Sequence, residues 1–99
     1  MKYTIKYDFS GEMWKSDGQG GWHFVSLPKE LSKEIRDNLQ WHEEGWGRMK
    51  VMALIKGKKW QTAIWFDKKR NTYLLPVKSE VRKASHLTLN EQLHVTIFI

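Results

Sequence analysis

The sequence FVSLPKE at residues 24–30 and the sequence YLLPVKS at residues 73–79 each join an apolar, strand-like segment to the start of a helix. Proline fixes its own φ and has no N–H to donate, so that it ends a strand and suits the first turn of a helix. Leu27-Pro28 and Leu75-Pro76 therefore mark the same transition twice. Two such units in 99 residues predict a barrel-like sheet with a small helix at each end, built on a weak internal repeat.

Alternation of apolar and polar side chains predicts the strands around these two units. The predicted strands are residues 3–14, 22–27, 48–55, 60–66, 72–75 and 93–99. A helix beginning at Pro28 carries Leu31, Ile35 and Leu39 as its apolar stripe, and a second, short helix places Val77, Val81 and Ala84 inward. The predicted order is β-β-α-β-β-β-α-β, a mainly β protein with two short helices, as one domain over residues 1–99.

The composition excludes several classes of protein. The chain has no cysteine, which excludes a disulfide scaffold, a thiol nucleophile and a cysteine zinc site. The N-terminus has no apolar signal segment and no apolar run is long enough to span a membrane, so we expect a cytoplasmic protein without a membrane partner. The formal charge of +6 favours polyanions as partners.

Four short motifs, in order and spacing, resemble one known family. They are FSGE at 9–12, WHFVxLP at 22–28, GWG at 45–47, and YLLPVK at 73–78 followed by VRKA at 81–84. The chain resembles, over nearly its whole length, the small prokaryotic family called domain of unknown function nineteen-oh-five. The resemblance implies a double-split β-barrel capped by short helices, similar to the swapped-hairpin barrel of the dimeric AbrB-like regulators.

In this family one chain supplies both halves of the barrel, so the resemblance implies a monomer. It implies no reaction. Some members are fused to a domain linked with bacteriocin protection, and the motifs of such a domain do not occur here. The chain has Asn90-Glu91 where the family usually has Gly-Asp. Asparagine tolerates left-handed backbone geometry, so we expect the turn to survive.

Six tryptophans exceed what one small core can hold, so some are expected at a cleft, a rim or an interface. The main functional prediction is a small binding or accessory module of unknown ligand, without a cofactor or metal. The first alternative is nonspecific nucleic-acid binding, because aromatic faces beside lysines stack bases while the charges hold phosphates. Its candidate residues are Lys58, Lys59, Trp60, Trp65, Lys69 and Arg82. Trp65 serves as a stacking platform if it faces outward, opposite Trp60.

A second alternative is an enzyme whose cleft lies near Trp22, His23 and Trp46. It requires His23 to be hydrogen-bonded to an acidic partner. The other interpretation of His23 is a hydrogen bond to a backbone carbonyl at the barrel rim, and the sequence favours that one. No serine, histidine and acid set accompanies it.

Three further interpretations complete the set. His42-Glu43-Glu44 is a local cluster without metal-ligand spacing, in which repulsion is expected to turn both carboxylates outward. Lys29 and Lys78 follow the two prolines and could attract anions, although solvated charges are favoured. A protein-interaction module predicts a contiguous apolar patch that contains Trp14 or Trp41.

Overall fold

The computed structural model describes residues 3–18, 20–45 and 47–99, which form six strands, two α-helices and one short 3₁₀ helix. The order confirms the prediction. The elements are β1 (Lys6–Lys15), β2 (His23–Ser26), α1 (Lys29–Leu39), the 3₁₀ helix (Gln40–His42), β3 (Arg48–Ile55), β4 (Lys58–Asp67), β5 (Thr72–Pro76), α2 (Ser79–Ala84) and β6 (Gln92–Phe98).

The six strands close into one antiparallel barrel in the order β1-β2-β5-β4-β3-β6. Closure pairs the first strand with the last, and the Ile99 carbonyl accepts the N–H groups of both Thr4 and Ile5. The strand predicted from residue 3 begins at Lys6, although the hydrogen bonding to the C-terminal residue continues to Ile5, whose carbonyl accepts the Ile99 N–H at 2.8 Å. The barrel interior is filled by apolar side chains from all six strands. Its fully buried members include Met13, Val25, Met49, Val51, Ile64, Leu75, Leu93 and Ile97.

The barrel consists of two equivalent halves, β1-β2-α1-β3 and β4-β5-α2-β6. Exchanging the halves maps each strand pairing onto another pairing of the same barrel. The hydrogen bonds agree: the Leu27 N–H donates to the Tyr73 carbonyl, and the Val77 N–H donates to the His23 carbonyl, each at 2.9 Å. Leu27 therefore corresponds to Val77, and His23 corresponds to Tyr73. The internal repeat is real at the level of structure.

The two Leu-Pro motifs do not occupy equivalent places in this repeat. Pro28 is the N-terminal cap of α1, as predicted. Pro76 is the last residue of β5, and α2 begins only at Ser79. Because Val77 is the equivalent of Leu27, the second motif lies two positions too early in the chain to mark the helix start.

The helices bury less of their predicted stripes than expected. In α1, Ile35 and Leu39 are buried while Leu31 is half-buried. In α2, Val81 is buried, but Ala84 is exposed and the prediction for it is wrong. The helix ends at Ala84 and the chain turns at His86, after which Leu87 takes the inner place.

Two pairs of neighbouring strands separate before their ends. β1 pairs with β2 only from Met13 to Lys15, and β4 pairs with β5 only from Trp65 to Asp67. Beyond these points lies a first split, between residues 10–12 and 26–28, and a second split, between residues 61–63 and 76–78. These two splits confirm the double-split barrel, and they place surface grooves between strands of a closed sheet.

Candidate functional site

The second split opens to the surface as a cleft of about 480 Å³. One wall is β4 at residues 61–63, and the other is the end of β5 with the two residues that follow it. Tyr3 and side chains from β3 and from the loop before β2 complete the lining. Those that carry chemistry are Trp22, Arg48, Lys50, Trp60, Trp65 and Lys78. We call this group the basic aromatic cleft.

Two indoles in the cleft are exposed to solvent. Trp22 is 58% exposed and Trp65 is 40% exposed. The Trp22 ring lies parallel to the Phe24 ring, with 6.1 Å between the centroids and 10° between the planes. This stacking supports the loop side of the cleft. Trp65 faces outward, which is the orientation that the stacking hypothesis requires.

Trp60 points inward, opposite to the outward Trp65, which is the arrangement that the stacking hypothesis names. Its side chain is only 6% exposed and packs with the barrel core. Both faces of β4 carry apolar side chains, and Trp60 lies on the inward one, paired with the small Ala53 of β3. The indole contributes to the floor of the cleft.

Three cations lie around the exposed indoles. The Arg48 guanidinium carbon is 5.7 Å from the centroid of the Trp65 ring, within the range of a cation–π contact. One carboxylate reaches this group: Glu44 accepts from Arg48 at 2.7 Å and lies 3.5 Å from the Lys50 Nζ. In the part of the chain that the structure describes, no carboxylate lines the cleft itself. With Lys78 included, the local charge is net positive.

The other predicted basic residues lie away from the cleft. Lys58 and Lys59 are at the start of β4, and the Lys59 Nζ leans toward the Phe98 ring at 5.4 Å. Lys69 lies in the turn after β4 and lines the first split. Arg82 donates to the Val77 carbonyl at 3.3 Å. The two lysine-rich turns therefore lie at opposite ends of β4 and do not form one surface with the indoles.

His23 makes the hydrogen bond expected of a rim residue. Its Nδ1 lies 2.6 Å from the Gly21 carbonyl oxygen. No acidic partner of His23 occurs among the described residues, and the side chain does not line the cleft. Trp46, the third member of the predicted enzyme site, lies outside the described residues. The acidic partner that the enzyme hypothesis requires for His23 is therefore missing from the part of the chain that the structure describes.

Glu43 is the clearest error of the sequence analysis. Its side chain is 10% exposed, where the sequence predicted an outward carboxylate. It accepts a hydrogen bond from the phenol of the fully buried Tyr73 and lies 3.8 Å from the Arg36 Nε. Burial raises the pKa of the Tyr73 phenol, and the bond to Glu43 raises that pKa further. This cluster fixes the 3₁₀ helix onto the barrel.

The remaining candidates are distributed over the surface. Trp41 is 78% exposed and its ring centroid is 3.9 Å from that of His42. Trp14 is half-buried beneath the Arg70 guanidinium, 4.5 Å from the ring centroid, so it does not join Trp41 in an apolar patch. Across residues 3–18, 20–45 and 47–99, no three histidine or acidic side chains come close enough to hold a metal ion. No helix in those ranges combines the length and apolarity that crossing a membrane requires.

The fold and the cleft define a class: a closed barrel that one chain forms from two equivalent halves, with a groove at each split. The model of one protein family, Domain of unknown function (DUF1905), matches residues 9–97. The match covers nearly the whole chain, and the chain belongs to this family. No curated protein matches it.

Proposed function

We propose that this protein is a small binding module whose basic aromatic cleft takes single-stranded nucleic acid without sequence preference. The observation that carries the proposal is the convergence of two exposed indoles, Trp22 and Trp65, with three cations in one open groove. Aromatic faces stack on any base, and cations track the phosphate backbone, so this combination suits an unpaired strand.

The chemistry of the cleft distinguishes single strands from duplexes. A base can stack on Trp65 only if its own face is free, which pairing and stacking within a duplex prevent. Lys50 and Lys78 lie on opposite walls of the groove and can hold phosphates on either side of a stacked base. The proposal takes the protein to be a cytoplasmic monomer of one domain, acting without a cofactor.

The test is fluorescence anisotropy of labelled single-stranded and duplex oligonucleotides of one length, repeated over a salt series. We expect the single strand to bind at physiological salt and to quench tryptophan emission, and the duplex to bind only at low salt. Binding that disappears for both ligands at physiological salt would contradict the proposal.

Matched variants locate the binding surface. Trp65→Ala is expected to weaken single-strand binding about 5- to 150-fold, the equivalent of one lost stacking contact of about 1–3 kcal/mol. Trp41→Ala removes an indole outside the cleft that is more exposed than Trp65, 78% against 40%, and should leave binding unchanged. Lys78→Glu should lower affinity and flatten the salt dependence, whereas Lys58→Glu, at the β3–β4 turn, should do so much less. Equal effects of the members of either pair would mean that charge or hydrophobicity alone carries the binding.

A further inference from the structure

The first split forms a second groove, of about 520 Å³, on the other half of the barrel. Its polar lining comes from Ser10, Ser26, Lys29, Lys69, Arg70 and Thr72. It is the equivalent of the basic aromatic cleft, because exchanging the two halves maps the first split onto the second. We propose that this groove is an anion subsite that binds a phosphate group.

Among the equivalent positions at which the two grooves differ, the pair Ser26 and Pro76 bears on anion binding. Trp14 pairs with Phe24 as Trp65 pairs with Leu74, so the two indoles correspond. In the first split, the Trp14 indole N–H donates to the Ser26 hydroxyl oxygen at 2.9 Å. Because that oxygen accepts, the hydroxyl hydrogen of Ser26 is left to donate to an acceptor. The second split has Pro76 at the equivalent position, which has no hydroxyl.

The aromatic surface of the first split is covered. The Arg70 guanidinium lies over Trp14, and its Nη1 donates to the Asp67 carboxylate at 2.6 Å. That hydrogen bond holds the pKa of the Asp67 carboxyl below its ordinary value, so the carboxylate keeps Arg70 in place at neutral pH. A base therefore has no exposed ring to stack on, and the groove suits a phosphate instead.

The charge of the first split is net positive. Lys29 and Lys69 make no ion pair with any residue that the structure describes, and Asp67 offsets only Arg70. Two ammonium groups and a serine hydroxyl are the donors that recognise a phosphate oxyanion. The phosphate could be a free ion or part of a nucleic-acid backbone. Only the second case rests on the proposed function, because a strand would then run from one split to the other.

The first arm of the test is an NMR titration of the whole ¹⁵N-labelled protein with inorganic phosphate, against chloride at equal ionic strength. We expect phosphate-specific shifts at the amides of Ser10, Ser26 and the turn at residues 68–71. Shifts that chloride reproduces, or that spread evenly over the basic surface, would overturn the subsite.

Two variants are used, so that the test still decides the proposal if one of them does not fold. Ser26→Ala should weaken phosphate binding about tenfold, as expected for one lost hydrogen bond to an anion. It also removes the acceptor of Trp14, so Lys69→Glu, in an exposed turn, is the second variant. Lys33→Glu, exposed on α1 outside the groove, is the control. Phosphate binding that both Ser26→Ala and Lys69→Glu leave intact would refute the proposal.

The second arm separates the two sources of phosphate. A strand that spans both splits should lose affinity in Lys69→Glu, while a mononucleotide confined to the cleft should not. If only inorganic phosphate responds to Lys69→Glu, the subsite binds free phosphate. If no oligonucleotide binds but the phosphate shifts stay in the first split, the proposed function fails and the subsite stands. If the oligonucleotide binds but phosphate causes no specific shifts in the first split, the subsite is wrong and the proposed function stands.

Discussion

Tyr73 links three elements of the fold through a single phenol. The side chain lies in β5, fully buried, and its hydroxyl donates to Glu43, just after the 3₁₀ helix. Arg36 of α1 lies beside the same carboxylate and stacks 3.8 Å above the Phe66 ring. The loop that follows α1 is therefore held to the barrel by polar contacts, namely this charge-assisted hydrogen bond and the backbone bridge between Glu44 and Arg48.

We expect Tyr73→Phe to lower the free energy of unfolding by about 1–3 kcal/mol at pH 7, because Glu43 loses its donor while remaining mostly buried. The pKa of Tyr73 is raised above its ordinary 10.0 in the folded protein. Its contribution is therefore complete below pH 10 and is lost as the pH rises through the folded-state value.

Urea unfolding at pH 7 and at pH 11 tests this prediction. The stability gap between the wild-type protein and Tyr73→Phe should narrow at the higher pH, because only the wild-type protein loses this contribution. Tyr3→Phe, near the N-terminus, is the control and should leave both values unchanged. A gap of the same size at both pH values would show that the phenol does not titrate with unfolding.

The predictions for single residues failed where contacts distant in sequence decide the burial of a side chain. Alternation places Trp60 and Trp65 on opposite faces of β4. Both faces carry apolar residues, so the sequence did not show which of the two indoles is buried. Adjacent carboxylates usually face water, and nothing near Glu43 in sequence indicated a partner. Tyr73 lies 30 positions away along the chain, so only the tertiary structure brings the two together.

At the scale of elements, two glycines in turns share a left-handed backbone but not their surroundings. Gly57 has φ +78°, and it follows Lys56, whose φ is 48°, in the two-residue turn between β3 and β4. A Cβ on Gly57 would meet no atom within 4 Å. Gly47 has φ +75°, but a Cβ there would lie 3.0 Å from the Phe66 Cβ. The same substitution therefore isolates backbone strain at one site and adds steric crowding at the other.

Gly57→Ala should cost about 1–2 kcal/mol of stability, the penalty of a left-handed alanine. Gly47→Ala should cost roughly 1–3 kcal/mol more, because Phe66 must also move. Thermal unfolding of the two variants side by side measures the difference. Equal losses would mean that β4 yields to the new methyl group without strain.

Element boundaries could be predicted wherever local chemistry decides them. The strand at residues 48–55 was located correctly, because it is a mainly apolar run that Gly57 ends. The start of α2 was not, because Pro76 fits the end of β5 as readily as the start of a helix. The next residue, Val77, still donates to His23, so the strand-like pairing continues past the proline.

At the scale of the whole molecule, the two halves depend on each other. Within a half, only three residue pairs join β1 to β2, and three join β4 to β5. The pairings β1·β6, β2·β5, β3·β4 and β3·β6 all cross between the halves. Neither half can bury its apolar face without the other.

A fragment of residues 1–56 should therefore not fold as a monomer. Mixing it with a fragment of residues 57–99 should restore the barrel, because the cut falls within the exposed β3–β4 turn. Circular dichroism and gel filtration of each fragment and of the mixture provide the measurement. A monomeric 1–56 fragment with full strand content would show that one half is self-sufficient.

The sequence could not predict that the indoles and cations of the basic aromatic cleft lie together. Composition indicated that some tryptophans lie at a cleft, a rim or an interface. Which indole meets which cation depends on where β4 and β5 separate, and that is a property of the closed barrel. The sequence analysis assigned nucleic-acid binding to the lysine-rich turns because their charges are adjacent in sequence.

The equivalence of the halves bears on how such a site can evolve. Two identical half-length chains would form the same barrel, and every substitution would then alter both grooves together. Joining the halves in one gene removes that constraint. Ser26 and Pro76 occupy matching positions with different chemistry, so each groove is free to diverge under its own selection.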